Sequence, residues 1–245
     1  MRLVVCLVVA GAACSGGGPQ PTVTAPPAAA PIDTTGLARI RFARGTTSGI
    51  LNDSLPAGET RSYVLGALQG QVMLAHAIAW SDPADRHPAG EATVRVFRGV
   101  DGAELRSSAG DGEQWSGRLP SSGDFVVRVT AGAAPVSYTL AVQIPRRVVV
   151  DQENPTTSFS GLAPSRGPID YIIKGEPGNR LEVALEADSA ASSLHIYGLD
   201  TGVQLARLSD RRRRFFGTVP TTQDYVVSVV PGAEQVRYDL LITLR

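Results

Sequence analysis

Chemistry in this 245-residue chain would have to come from three histidines, a balanced set of 23 acidic and 23 basic side chains, and two cysteines. His76, His87 and His195 lie far apart and none belongs to a local Ser-His-Asp arrangement, while "GTTSG" at 45–49 is not a nucleophile elbow. The sequence therefore predicts a protein that is not an enzyme. His195 sits between core-pattern Leu194 and Ile196, which on a strand points it toward solvent. Oxygen ligands for a hard cation are grouped in two places. Asp151, Glu153 and Asn154 form one set, and Asp82, Asp85, His87 and Glu91 the other. A loop converging several such oxygens can hold Ca²⁺, and the alternative is solvated loop carboxylates; no other cofactor is expected.

Charge is concentrated once, in "DRRRRFF" at 210–216. Four consecutive arginines cannot share one face of a strand, so Arg211, Arg212, Arg213 and Arg214 read as a hairpin tip or as a sheet edge guarded by charge. The aligned stretch of the first half, "GDGEQW", is acidic. The arginines thus offer a cationic patch to an anionic partner, or an attraction between the two halves. Formal charge is zero overall, so nothing steers the chain toward nucleic acid.

The elements that must carry these groups are written twice. "WSGRLPSSGDFVVRV" at 115–129 returns as "FFGTVPTTQDYVVSV" one hundred residues later, and "VRVFRGVDGAEL" returns as "LHIYGLDTGVQL" at that same offset. Upstream, the offset grows by eight, which places an insertion in "WSDPADRHPAGEA" at 80–92 and marks that segment as a surface loop. The period within each copy is two: Tyr138, Leu140, Val142 and Ile144 alternate with Thr139, Ala141 and Gln143, and the second copy repeats the pattern. Turn residues separate the runs. About eight short strands per copy and no helix predict an all-β protein of two tandem antiparallel β-sandwiches, jelly-roll-like, over 39–145 and 146–245. One strand breaks the alternation. In "GQVMLAHAIAW", Val72, Leu74 and Ile78 stand where the second copy has Arg180, Glu182 and Glu186, so both faces of that strand are apolar. The outer face should be covered by the other repeat or by a partner.

Both cysteines, Cys6 and Cys14, fall ahead of the repeats, so the folded body is expected to hold neither a disulfide nor a thiolate metal site. Residues 1–13 have the order of a secretory signal, with Arg2, an apolar run through Ala10 and then small residues. "GAAC" resembles the lipobox of bacterial lipoproteins, which implies cleavage before Cys14 and acylation of its thiol. The Pro-, Gly- and Ala-rich stretch over 14–38 then reads as a disordered tether reaching roughly 60–70 Å.

The order of Tyr63 with its "GQ", Trp115-Ser-Gly, Leu-Pro-x-x-Gly-Asp-Phe and a closing Tyr-x-Leu-x-Val resembles bacterial pre-peptidase C-terminal β-sandwich domains across nearly all of 39–245. Some domains of that family bind Ca²⁺ at the segment leading into the sandwich, which favours the Asp151 set. "SGRLPSSGDF" is also similar to bacterial inhibitors of g-type lysozyme, which carry a longer, Arg-rich loop before the last strand than the "TAGAAPVS" or "VPGAEQVR" present here. The expected role is a non-catalytic binding or adaptor module, exported to the bacterial cell envelope (periplasm or outer membrane) and held to the membrane through Cys14, or else secreted. Its partner would be an envelope protein or glycan. The alternatives are a lysozyme inhibitor and an accessory protein of a secreted peptidase system.

Overall fold

A computed structural model describes residues 29–44, 46–80, 90–108 and 112–245. Two sandwiches follow one another. In the first, β1 (Ala38–Arg39), β3 (Thr60–Ala67), β8 (Gly123–Ala131), β5 (Ala92–Arg98) and β6 (Glu104–Leu105) form a five-stranded sheet in that order. Against it packs a four-stranded sheet of β2 (Ser48–Leu55), β9 (Val136–Gln143), β4 (Val72–Trp80) and β7 (Gln114–Arg118). The second sandwich has a five-stranded sheet ordered β10 (Arg146–Val148), β12 (Ile169–Gly175), β17 (Gln223–Val230), β14 (Ser193–Gly198) and β15 (Gln204–Ala206). Its four-stranded sheet is β11 (Thr156–Ala163), β18 (Val236–Leu244), β13 (Arg180–Ala187) and β16 (Arg214–Thr218). Every strand of the first body recurs nine strands later in the same place.

Among the described residues each body thus has nine strands where periodicity predicts about eight. The lead-in and fifth-position strands, two or three residues long, are too short to show an alternation. One 3-10 turn, Leu208–Asp210, is the only helical element among the described residues. All pairings are antiparallel except β1 with β3 and β10 with β12. These are parallel because the chain crosses to the opposite sheet for one strand (β2 or β11) before returning beside the lead-in strand.

Alternating residues fill two separate cores, around Trp115, Phe125 and Tyr138 in one body and Phe215, Tyr225 and Tyr238 in the other. The repeated glycine of "WSG" and "FFG" has a packing cause. A Cβ on Gly117 would lie 2.8 Å from the Trp115 ring, and one on Gly217 would lie 2.5 Å from that of Phe215. The ring folds along its own strand over the residue two ahead, so only glycine leaves room. Inside each core a tyrosine pair closes hydroxyl to hydroxyl at 2.6 Å, Tyr63 with Tyr138 and Tyr171 with Tyr238. Burial pushes the ionisation of all four phenols upward.

The repeated aspartate of "GDF" and "QDY" fastens the lead-in strand. Arg39 on β1 forms a two-pronged pair with Asp124 at 3.0 and 2.8 Å, and Arg147 on β10 does the same with Asp224 at 2.7 and 2.8 Å. Ahead of β1 the Ile32 amide donates to Gly99 O at 2.9 Å, so the described end of the stretch read as tether already lies against the first sandwich.

Candidate functional site

The bodies meet sheet on sheet. β9 ends at Gln143 and β10 begins at Arg146, leaving only Ile144 and Pro145 between them. The outer face of β4 packs on the outer faces of β12, β14 and β17. Val72 and Leu74 are buried with Ile172, Tyr197, Leu199 and Val226 in a third apolar cluster. Of the two covers that the sequence allowed for this face, it is the other repeat that lies on Val72 and Leu74. At 3% and 0% exposure they are closed to a second molecule, which corrects their reading as partner-binding residues.

Polar contacts ring that apolar centre. The Gln143 amide Nε2 donates to Pro168 O at 2.6 Å and to Asp170 Oδ2 at 2.8 Å, and its Oε1 accepts the Asp170 amide at 3.2 Å. Asp170 Oδ2 also lies 3.1 Å from His76 Nε2, so that nitrogen carries the proton of the contact. Gln114 donates to the Tyr197 hydroxyl at 2.5 Å, and Arg118 reaches Asp224 at 2.5 Å. Asp224 therefore answers two guanidiniums, one from each body. Their hydrogen bonds, Arg147 first, hold its carboxyl below the usual range against the opposing effect of burial.

Beside this seam opens a cleft of about 520 Å³ lined from both bodies. The first body contributes His76, Ile78 and Trp80 from β4 with Glu113 and Gln114 near β7. The second contributes Arg166 and Pro168 from the β11–β12 turn, His195 from β14, Ser228 and Val230 from β17 and Pro231 to Ala233 beyond it. The Arg166 guanidinium lies 4.8 Å from the centre of the Trp80 ring, across the seam. The backbone of Arg166 adopts φ 57° in the turn closed by the Gly167 amide on Pro164 O at 3.1 Å, a left-handed conformation that costs a non-glycine residue on the order of 1 kcal/mol. Among the described residues Trp80 Nε1 and Ser228 Oγ are buried without a hydrogen-bond partner.

His195 differs from its sequence reading. It points away from the core of its own repeat, but into this cleft, half-buried, with its ring 4.9 Å from that of Tyr197. Gln204 Nε2 donates to Gly202 O, so its Oε1 is the acceptor facing His195 Nε2 at 2.6 Å, and that nitrogen is protonated. Burial pushes the His195 pKa down, opposed by the Gln204 hydrogen bond and the Asp170 charge.

The remaining candidates are dispersed. Arg211 to Arg214 run from the 3-10 turn into the edge strand β16, and among the described residues the contacts of the run stay within the second body. Arg212 faces Asp210 at 3.4 Å, and Arg213 donates to Ala187 O at 2.7 Å. Ile78 is half-buried in the cleft wall. Asp151, Glu153 and Asn154 occupy an exposed turn in which Asp151 Oδ1 accepts the Asn154 amide at 2.6 Å. Among the described residues no three His, Cys, Asp or Glu side chains gather as a metal site. Cys14, Asp82, Asp85 and His87 lie outside the described residues.

Sequence reasoning missed Trp80, Arg166, Gln143, Asp170 and Ser228. A signal existed for Gln143, a polar outward position on a strand paired with the doubly apolar β4. For Arg166 the sign was "PSRGP", a turn sequence with one charged residue at its tip.

No family model matches the chain, and none of the curated proteins does. Solved structures similar to parts of it include a periplasmic inhibitor of g-type lysozyme from Aeromonas hydrophila, 27% identical over 44% of this chain and 94% of that one, with a TM-score of 0.35. The corresponding protein of Salmonella Typhimurium is 20% identical over 43% of this chain and 95% of its own, at 0.31. The tandem carbohydrate-binding modules of a family 98 glycoside hydrolase from Streptococcus pneumoniae are 10% identical over 78% of this chain and 83% of theirs, at 0.23.

Proposed function

We propose that this chain is a non-catalytic binding module of the bacterial cell envelope, exported through residues 1–13, held at the membrane through Cys14, and engaging an envelope protein or glycan. The observation that carries the reading is the joining of two sandwiches into one body by the Val72–Leu74 face. Duplication has produced a single composite surface, and its Arg211–Arg214 edge stays outside the seam. Exposed Arg211, Arg212 and Arg214, beside the half-buried Arg213, supply charge for an anionic partner, each exposed contact contributing about 0.2–1 kcal/mol, so they act as a group. The test immobilises the full chain in envelope extract beside a variant in which Arg211 to Arg214 become Gly-Asp-Gly-Glu. A partner retained by the native chain and lost by the variant supports the reading; retention of nothing by either overturns it.

Inhibition of a g-type lysozyme is the second reading, favoured by the "SGRLPSSGDF" stretch. Against it stand the short connections that precede the last strand of each body, residues 132–135 between β8 and β9 and 231–235 between β17 and β18. Lysozyme turnover measured with and without the chain decides between the two.

A further inference from the structure

The cleft between the two bodies has the makings of a ligand site, and we infer that it binds a small organic anion: a carboxylate carried on a flat, apolar body. This goes beyond envelope binding and stands on different residues, none of them in the Arg211–Arg214 edge.

The anionic end follows from Arg166. Its guanidinium is half-buried, stacked on Trp80, and has no carboxylate partner among the described residues. A planar carboxylate matches the guanidinium fork. Two further groups favour the same ligand. Trp80 Nε1, which can only donate, and the hydroxyl of Ser228, a residue 1% exposed, are buried without partners among the described residues, in two residues that line the cleft. Both atoms are closed to solvent, so an acceptor reaches them only as the cleft wall shifts around the ligand. Two carboxylates bear on the cleft: Glu113 on its rim is exposed and solvated, and Asp170 lies behind His76, held by that ring and by the Gln143 amide.

The apolar body follows from the walls. Ile78 on one side and Val230 with Pro231 on the other present aliphatic surface, and about 520 Å³ lies in the range that encloses a drug-sized molecule. Because the donors come from both bodies, a ligand seated here bridges the seam.

The experiment titrates the full chain with phenylbutyrate, phenylbutyramide, phenylbutylamine and acetate, read by calorimetry and by tryptophan fluorescence. Trp115 is sealed in the first core, so a fluorescence change reports on Trp80. Phenylbutyrate should bind roughly tenfold more tightly than its amide, its amine or acetate, the worth of one charge-assisted fork or of the buried ring. Arg166→Gln should erase the preference for carboxylate over amide, and Arg166→Lys should restore part of it. The thermal midpoint of each variant establishes that it is folded. Failure of phenylbutyrate to bind, equal binding of acid and amide, equal binding of acetate, or an unchanged preference in a folded Arg166→Gln would each overturn the inference. None of these outcomes bears on capture through the arginine edge.

Discussion

The outer face of the four-stranded sheet exists twice, and the copies have opposite fates. In the first body β4 presents Val72, Leu74 and Ile78, the first two buried against the second body and the third half-buried in the cleft wall. In the second, β13 presents Arg180, Glu182 and Glu186 at the same positions, all exposed. The sheets behind these faces are the same in strand order and register. Strand alternation fixes which residues point outward and leaves their chemistry free, so three substitutions suffice to turn a surface into an interior. The second copy ends the stack because its outward face carries charge.

The severest test of that contrast exchanges the two faces. Leu74→Glu installs the second body's residue at a site with no solvent access, and should cost about 3–5 kcal/mol as an unpaired buried charge. Calorimetry should then show two separate unfolding transitions in place of a single one. The reciprocal change, Arg180→Val with Glu182→Leu and Glu186→Ile, should leave each core intact and make the chain self-associate as concentration rises, read by sedimentation velocity, because an exposed apolar patch now lacks a cover.

A milder test compares the two lead-in clasps. Asp224 is 6% exposed in its side chain and Asp124 is 36% exposed. Arg147→Ala should therefore cost roughly 1–2 kcal/mol after screening of its half-exposed guanidinium, with Arg118 still holding the carboxylate. Arg39→Ala should lower the midpoint less. Equal losses would mean that the seam adds nothing to the clasp.

The smallest effect concerns pH. His195 has a folded pKa below its ordinary value of about 6.5, so the unfolded chain binds its proton first. Its contribution is complete above that value and falls away as pH drops below it toward the folded pKa. The midpoint of the native chain should decline more between about pH 7 and 5 than that of His195→Gln; parallel declines would place the ring in open water. Asp224, held low by its arginines, acts in the same direction in a more acidic window. Its stabilisation is complete above the unfolded carboxylate pKa and fades as pH falls through the folded one.

The fold was legible because its information is local and written twice: alternation gave the strands, the constant offset gave two bodies, and turn residues gave the breaks. The apolar outer face of β4 was also visible, since a strand with no polar side must be covered on both. The cleft was not. Trp80, Arg166, His195 and Ser228 come from four segments in two repeats, and no spacing in the chain brings them together; only the angle at which the bodies meet does. The clasps were hidden differently. Arg39 and Arg147 lie at the longer offset and Asp124 and Asp224 at the shorter, so the repeated pairing is blurred by the insertion between them.

The two residues that join the bodies, Ile144 and Pro145, make their meeting a matter of local concentration. A link so short holds the two faces together as if each were present at millimolar levels or above, so a contact too weak to join separate molecules is enough to keep the seam closed. Substitutions along the seam can therefore change how long it stays closed without changing whether the two halves find each other.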